Sequence, residues 1–191
     1  MAMWALLRAT LIAGLATATY LPGIPTLPFK TVNSTNTFDV YAVHQIHVDP
    51  RLASKVDEAG WTLIPPTLQQ FAETFADDLQ DLNAQTTHVT GKVSVTNSDF
   101  ILQTPSIRLT LGNSTNFRDA AGRWTSEGYK IDVTNSSLTV TGASPLGVWW
   151  ATRSILQQAV LKKGNLSLGS GIDAPGWNTR GIFVSYLDIS F

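Results

Sequence analysis

The sequence contains no cysteine among its 191 residues. This absence excludes a disulfide framework and thiolate chemistry, so packing and hydrogen bonds alone must hold the fold. Charged residues make up only 14% of the chain, and its 13 basic residues are nearly balanced by 14 acidic ones. Because nucleic acids and anionic membrane surfaces are bound through concentrated basic patches, we expect neither as a partner.

The sequence also lacks an apolar run that could cross a hydrocarbon core about 30 Å thick. The longest run, residues 9–18, follows Arg8 and is interrupted only by two threonines and a glycine. A basic residue before a short apolar run, with small residues such as Ala16 and Ala18 at its end, is typical of a secretory signal peptide rather than a membrane anchor. We therefore predict a signal peptide at residues 1–18 and a secreted, extracellular chain after it.

Sequons of the Asn-x-Ser/Thr type occur four times, at Asn33, Asn113, Asn135 and Asn165. In a chain that enters the secretory pathway, such sequences accept N-linked glycans where they lie on surface turns. We predict these four asparagines as glycosylation sites.

Motifs for phosphate binding, nucleophilic catalysis and metal coordination are missing. Residues 168–172 hold two glycines without the lysine or further glycine of a phosphate loop, and no Gly-x-Ser-x-Gly motif occurs. His44 and His47 lie in a predicted strand, where residues three apart point to opposite faces, and no third ligand follows at zinc spacing. We predict neither a metal site nor a cofactor.

An acidic cluster of Asp77, Asp78 and Asp81 lies on a predicted helix. Catalytic carboxylates need burial or a cavity to perturb their pKa values, and a helix surface offers neither. The pattern therefore indicates a solvated acidic surface, and no catalytic residue is predicted in this chain.

The first predicted helix follows Pro65-Pro66 and opens with a capping box formed by Thr67 and Gln70. Its apolar residues recur at helical spacing on one face. They are Leu68, Phe71, Ala72, Phe75, Leu79 and Leu82.

The second predicted helix has Ser144 as its N-cap and Pro145 at its first position, and it runs to about Lys163, where Gly164 stops it. We expect its apolar face to pack on the core. The residues predicted for that face are Leu146, Trp149, Trp150, Ile155, Leu156 and Val160.

Short β-branched runs separated by Gly, Asn, Ser and Pro predict strands. They lie at 42–48, 87–95, 106–111, 129–133 and 138–141, with a hairpin between the last two. Residues 22–28 carry three prolines and predict an extended lead-in. The order of elements predicts an α+β fold, a mixed β-sheet with packed helices.

Trp124, Trp149, Trp150 and Trp177 leave two interpretations open. Exposed aromatic rings would stack on sugars, as in a carbohydrate-binding module, whereas buried rings would belong to the core. For the helical pair Trp149 and Trp150 the core is favoured, because tryptophan is highly buried on average and the helix needs an apolar face.

Two motifs near the end of the chain carry a resemblance to a known family. The first is Gly142-Ala-Ser-Pro-Leu-Gly-Val-Trp-Trp-Ala-Thr-Arg-Ser-Ile-Leu-Gln-Gln158, and the second is Asp173-Ala-Pro-Gly-Trp-Asn-Thr-Arg-Gly181. The first resembles the helix that closes the N-terminal domain of family 20 β-N-acetylhexosaminidases. The second is similar to the entry into their catalytic barrel, and the likeness is strongest to the fungal secreted members.

The resemblance implies a hexosaminidase N-terminal α+β domain at residues 19–172 and the start of a truncated catalytic domain at 173–191, with the catalytic TIM barrel absent. In the family an adjacent Asp-Glu pair in a His-Gly-Gly-Asp-Glu context supports hydrolysis, and this sequence contains no such motif. The resemblance therefore implies an accessory domain that is inactive alone. It also implies that the chain self-associates through the surface that the catalytic barrel covers in family members.

The resemblance also implies a substrate class and one substrate-binding residue. Family members release terminal N-acetylhexosamine from chitin oligomers or glycoconjugates, and Arg180 matches a family residue that contacts the terminal sugar. A stand-alone carbohydrate-binding or partner-binding module remains the alternative function.

Overall fold

The structure is a computed structural model, and it describes residues 19–21, 27–32, 34–57, 64–86, 91–98 and 104–177. The predictions of a signal peptide at 1–18, of a glycan at Asn33 and of a sugar contact at Arg180 fall outside these residues.

The described part of the chain contains ten strands and two helices. In chain order they are β1 (Thr19–Leu21), β2 (Leu27–Thr31), β3 (Thr37–Asp39), β4 (Gln45–Val48), α1 (Leu68–Ala84), β5 (Ser94–Thr96), β6 (Ser106–Leu111), β7 (Tyr129–Val133), β8 (Ser137–Gly142), α2 (Pro145–Leu161), β9 (Asn165–Ser167) and β10 (Gly169–Asp173).

Eight strands form one sheet in the order β1-β2-β10-β7-β8-β6-β4-β5, and β3 pairs with β9 in a small second sheet. In this spatial order the neighbouring strands β1, β2, β10, β7 and β8 are antiparallel to one another in turn. The strands β8, β6, β4 and β5 run parallel to one another. The predicted hairpin is confirmed, because β7 and β8 pair directly. The sheet is therefore mixed and the α+β prediction is confirmed.

The register of the strands separates an apolar face of the sheet from a polar one. One row across the sheet aligns Ile131, Val140, Leu109 and Val48, which are all buried in the single core that also includes residues of both helices. The neighbouring row, on the opposite face, aligns Asp132, Thr139, Arg108 and His47. Both helices therefore pack on the apolar face.

Both predicted helix starts are confirmed. The Thr67 hydroxyl accepts from the backbone N–H of Gln70, and the Gln70 side chain accepts from the backbone N–H of Thr67, which completes the capping box. The Ser144 hydroxyl accepts from two backbone N–H groups of the first turn of α2. After α2, Gly164 adopts a φ of 84°, a left-handed conformation that favours glycine and ends the helix.

Strand β10 was missed, although residues 169–172 of the glycine-rich segment 168–172 belong to it. The extended lead-in predicted at 22–28 is confirmed for Leu27 and Pro28, which begin β2, while residues 22–26 lie outside the described residues. A Cβ atom at Gly169 or Gly171 would lie 2.2 or 2.6 Å from a carbonyl oxygen of β2, so glycine permits this close pairing. The strand predicted at 42–48 begins only at Gln45. Of the strand predicted at 87–95, residues 87–90 lie outside the described residues, and residues 94 and 95 belong to β5.

We predict that Gly147→Ala destabilises the domain although alanine is the better helix former. A Cβ atom there would lie 2.5 Å from the backbone oxygen of Gly128, and such overpacking typically costs about 1–3 kcal/mol of unfolding free energy. Helix propensity alone would instead stabilise the variant by up to about 1 kcal/mol. Urea unfolding measures whether the unfolding free energy of the variant falls or rises.

Gly91→Ala is the matched control, because among the described residues its added Cβ would meet nothing closer than 3.8 Å. We expect its unfolding free energy to change by less than about 0.5 kcal/mol. A Gly147→Ala variant as stable as the parent would show that the helix does not depend on this close contact.

Candidate functional site

The face of α2 that points to the sheet is built mainly from small or slender side chains. Its buried residues are Pro145, Gly147, Val148, Ala151, Thr152, Ile155, Gln158 and Ala159. Small residues let the helix axis approach the sheet closely, and Gly142 of β8 reinforces this, since a Cβ there would lie 2.6 Å from the backbone nitrogen of Val148. The inward face therefore leaves no room for the larger side chains of the helix.

The prediction for the apolar face of this helix is confirmed for Ile155, which is buried, and in part for Trp150 and Leu156, which pack against the core. It was wrong for Leu146, Trp149 and Val160. Trp150 and Leu156 are half-buried at the margin of the core, Leu146 and Trp149 are half-buried, and Val160 is 57% exposed. At 100° per residue, these five positions lie on the side of the helix that points away from the sheet. We refer to Leu146, Trp149, Trp150, Leu156 and Val160 as the outward face of α2.

Helix α1 is different, because its outward side is polar. Gln70, Thr74, Asp77 and Asp81 are exposed there, while Phe75, Leu79 and their neighbours are buried against the sheet. Asp77 and Asp81 form the solvated acidic surface that the sequence indicated, whereas Asp78 faces α2 and pairs with Arg153. An amphipathic helix thus lies next to a helix that carries large apolar side chains on both sides, with Arg153 lying among those on its outward side.

A groove of about 450 Å³ lies where the first turns of the two helices meet. Its lining residues are Ile64, Pro65, Pro66, Gln70, Phe71, Thr74 and Trp149. The rings of Phe71 and Trp149 are 5.1 Å apart at 32°, and the guanidinium of Arg153 lies 3.8 Å from the Trp149 ring centroid. Arg153 also donates to Asp78, so a stacked cation and an ion pair hold the indole in place.

Trp150 lies on the other flank of α2, where its indole N–H donates to the Glu127 carboxylate over 2.7 Å. Glu127 is only 8% exposed and belongs to the loop between β6 and β7. Trp149 does not pack on the core, so the favoured interpretation was wrong for it, whereas Trp150 is half-buried and packs against the core. Both are fixed in orientation, and both contribute apolar surface to the outward face.

A separate polar cluster ties the end of β10 to α2. The Tyr129 hydroxyl donates to the Asp173 carboxylate over 3.0 Å and lies 2.7 Å from the Ser154 hydroxyl. Burial raises the pKa of Asp173, although the hydrogen bond from Tyr129 opposes this shift, and burial together with the Asp173 charge raises the pKa of Tyr129. The cluster joins a strand to a helix, which is a structural role.

The remaining sequence-predicted residues are not brought together. Asn113, Asn135 and Asn165 are exposed at separate places, on the β6–β7 loop, the β7–β8 turn and β9. His44 is exposed, whereas His47 is buried with its Nε2 atom 3.1 Å from the backbone oxygen of Ser98. Over the described residues, no group of three potential metal-ligating side chains occurs, and neither helix is long and apolar enough to span a membrane.

The outward face was missed, but the sequence carries a signal for it. Between Pro145 and Leu161 the apolar residues are too numerous for one stripe and lie on both sides of the helix. A helix whose outward side carries large apolar side chains beside its polar ones is typical of a helix that is partly covered on that side as well. The largest side chains were assigned to the core, whereas close helix–sheet packing selects the smallest.

Comparison with known proteins identifies a family. The model described as glycosyl hydrolase family 20, domain 2, matches residues 30–169. Similar solved structures include the GH20 beta-N-acetylhexosaminidase from Streptomyces coelicolor A3(2), at 19% identity and a TM-score of 0.46, and the beta-N-acetylhexosaminidase from Bacteroides fragilis NCTC 9343, at 14% and 0.45. The alignments cover 84% and 78% of this chain but only 26% and 23% of those proteins. No curated protein matches the chain.

We predict a pH-dependent effect of Asp173→Asn. Because the pKa of Asp173 is raised by burial, its stabilising contribution is present below its unfolded pKa of about 3.9 and is lost as the pH rises through the folded pKa. The asparagine cannot ionise, so the melting temperature of the variant should improve relative to the parent between about pH 3.5 and pH 7. If the melting temperature of the variant instead falls relative to that of the parent as the pH rises, the ionised carboxylate stabilises the fold and the prediction is wrong.

Proposed function

The chain belongs to glycosyl hydrolase family 20, whose domain 2 it carries over residues 30–169, and from this premise we propose that it is the accessory domain of a β-N-acetylhexosaminidase. In this proposal the outward face of α2 packs against a catalytic domain. The chain spans about a quarter of the length of the solved structures it matches, so the activity belongs to the complete enzyme.

The apolar outward face of α2 is the observation that carries the proposal. Val160 and Leu161 are 57% and 53% exposed at one end of the helix, and Ile64 is 85% exposed beside the groove at the other. Large apolar side chains on an exposed helix face mark a surface that another protein layer covers. The polar outward side of α1 limits this surface on one flank.

The substrate of the complete enzyme is, in this proposal, a terminal N-acetylhexosamine of chitin oligomers or glycoconjugates. The chain alone performs no hydrolysis, because its single Asp-Glu step, Asp57-Glu58, lacks the catalytic context. Asp57 is buried and accepts a hydrogen bond from the Ser144 hydroxyl over 3.1 Å, a position that supports the start of α2. The proposal includes secretion after cleavage of residues 1–18, as in the fungal secreted members.

The alternative, a stand-alone carbohydrate-binding module, needs an aromatic ring with an open face. Trp149 is the poorer candidate, since Arg153 already stacks over its ring and Phe71 packs beside it. Trp177 is 60% exposed and is the better candidate. Titration of the chain with a chitooligosaccharide tests the alternative, and saturable binding that Trp177→Ala abolishes would favour it.

The proposed interface is tested in a chimera that joins residues 19–184 to the catalytic domain of a family 20 β-N-acetylhexosaminidase. We predict that Val160→Lys lowers the melting temperature and the activity of the chimera, because a lysine ammonium would be buried without a partner, at a cost of several kcal/mol. The same change in the isolated chain should leave its stability within about 0.5 kcal/mol, since Val160 is exposed there.

Ala84→Lys is the matched control, because Ala84 is an exposed residue at the end of α1. We expect Ala84→Lys to change neither the melting temperature and activity of the chimera nor the stability of the isolated chain. A Val160→Lys chimera as stable and active as its parent would contradict the proposed interface. Light scattering gives a second readout, because Val160→Lys should also reduce self-association of the isolated chain.

Arg180 is tested for its proposed substrate contact in the same chimera. A guanidinium can grip two adjacent sugar hydroxyls through its fixed donors. We predict that Arg180→Ala raises KM and lowers kcat for a nitrophenyl N-acetylglucosaminide while leaving the melting temperature nearly unchanged. The chain without a barrel should show no turnover, and an Arg180→Ala chimera as active as its parent would contradict the assignment.

A further inference from the structure

We propose that Asn113 carries an N-linked glycan whose first N-acetylglucosamine stacks on the indole of Trp124. The proposal rests on the secretion included in the proposed function, because only a chain in the secretory pathway meets a lipid-linked oligosaccharide donor. In that step a bond forms between Nδ2 of Asn113 and the anomeric carbon of the donor sugar. The amide loses one proton, and the lipid diphosphate leaves.

Asn113 and Trp124 are brought together by a tightly closed loop between β6 and β7. The loop folds back on itself at an antiparallel bridge between Arg118 and Trp124. Within it, one carboxylate oxygen of Asp119 accepts from the backbone N–H groups of Ala121 and Arg123, each over 2.9 Å. These bonds fix the backbone of Trp124 without burying its side chain, which stays 50% exposed.

The hydrogen bond between the two side chains sets the orientation of the asparagine amide. The indole N–H of Trp124 donates to Oδ1 of Asn113 over 3.2 Å. Only the amide oxygen can accept this bond, since an indole nitrogen is a donor alone. Nδ2, the atom that receives a glycan, donates no hydrogen bond to the described residues and lies on an exposed side chain.

An exposed tryptophan next to this amide provides a surface for the first sugar. Aromatic rings contribute large apolar area, and a half-exposed indole leaves much of that area in water. A pyranose attached at Nδ2 starts next to the ring, so its apolar C–H face can cover the indole without searching for it. Attachment and stacking therefore reinforce each other, because the covalent link supplies a high effective concentration.

The other described sequons lack this arrangement and serve as internal controls. At Asn165 the Nδ2 atom donates to the backbone oxygen of Lys163 over 3.2 Å, while Oδ1 accepts from Thr37. Asn135 lies in the turn of the β7–β8 hairpin, where its neighbours are Thr134 and Ser136. A glycan at either position should not respond to Trp124.

The test expresses the chain in yeast behind a heterologous signal peptide, so that failure of the predicted leader at 1–18 does not affect it. Glycopeptide mass spectrometry measures occupancy at Asn113, and an endoglycosidase trims every glycan to one N-acetylglucosamine. The parent and the variants Asn113→Gln, Trp124→Ala and the double variant are then melted, alongside the same four proteins from bacteria, which carry no glycan.

We expect Asn113 to be occupied. In the yeast proteins the sugar should raise the melting temperature by about 2–4 °C, as a stabilisation near 1 kcal/mol does in a domain of this size. This increment should vanish with Trp124→Ala. In a further variant, Trp124→Phe, made in the same way, it should persist in part. The bacterial proteins carry no sugar, so the non-additivity of their Asn113 and Trp124 variants measures only the hydrogen bond between the two side chains. This non-additivity is subtracted from that of the yeast proteins to give the contribution of the sugar.

Two results would overturn the inference. One is an Asn113 that stays unoccupied in the secreted protein. The other is a sugar-dependent shift of the same size with and without the Trp124 ring. Neither result bears on the hexosaminidase assignment, which the chimera tests independently. As a control, Asn135→Gln should change the melting temperature equally in the parent and in Trp124→Ala.

Discussion

The close approach of α2 to the sheet is the constraint on which the rest of the structure depends. Gly142 and Gly147 allow it, since a side chain at either would collide with backbone atoms less than 3 Å away. Once the helix axis is this near the sheet, mainly small or slender side chains fit beneath it. The tryptophans and leucines of α2, together with Val160, lie outside the buried face, and a surface that another domain can cover results from packing inside this one.

The outward face is apolar but ordered. Glu127 fixes Trp150 by a hydrogen bond, and Arg153 fixes Trp149 by stacking on its ring while pairing with Asp78. Side chains that are already held in place lose little conformational entropy on association. The motif that carries the family resemblance, residues 142–158, therefore serves two purposes, a close inner contact and a prepared outer surface.

Local signals in the sequence predicted local structure well. The capping box at Thr67 and Gln70, the N-cap at Ser144 and the strands β6 and β7 are where the sequence placed them, because each depends on residues within one turn or one strand. Strand β10 was missed, since its glycines are selected by pairing with β2, far away in sequence. The face of α2 was misassigned for a similar reason, because the helix–sheet distance decides which residues are buried.

The central claim is that the outward face of α2 is covered by a catalytic domain in the complete enzyme. Carbene footprinting tests it most directly, since carbenes label exposed side chains of every type. We predict that Leu146, Trp149 and Val160 are labelled in the isolated chain and protected once a family 20 catalytic domain is attached, while Asp77 and Asp81 on α1 are labelled equally in both. Equal labelling of the outward face with and without the attached domain would contradict the account.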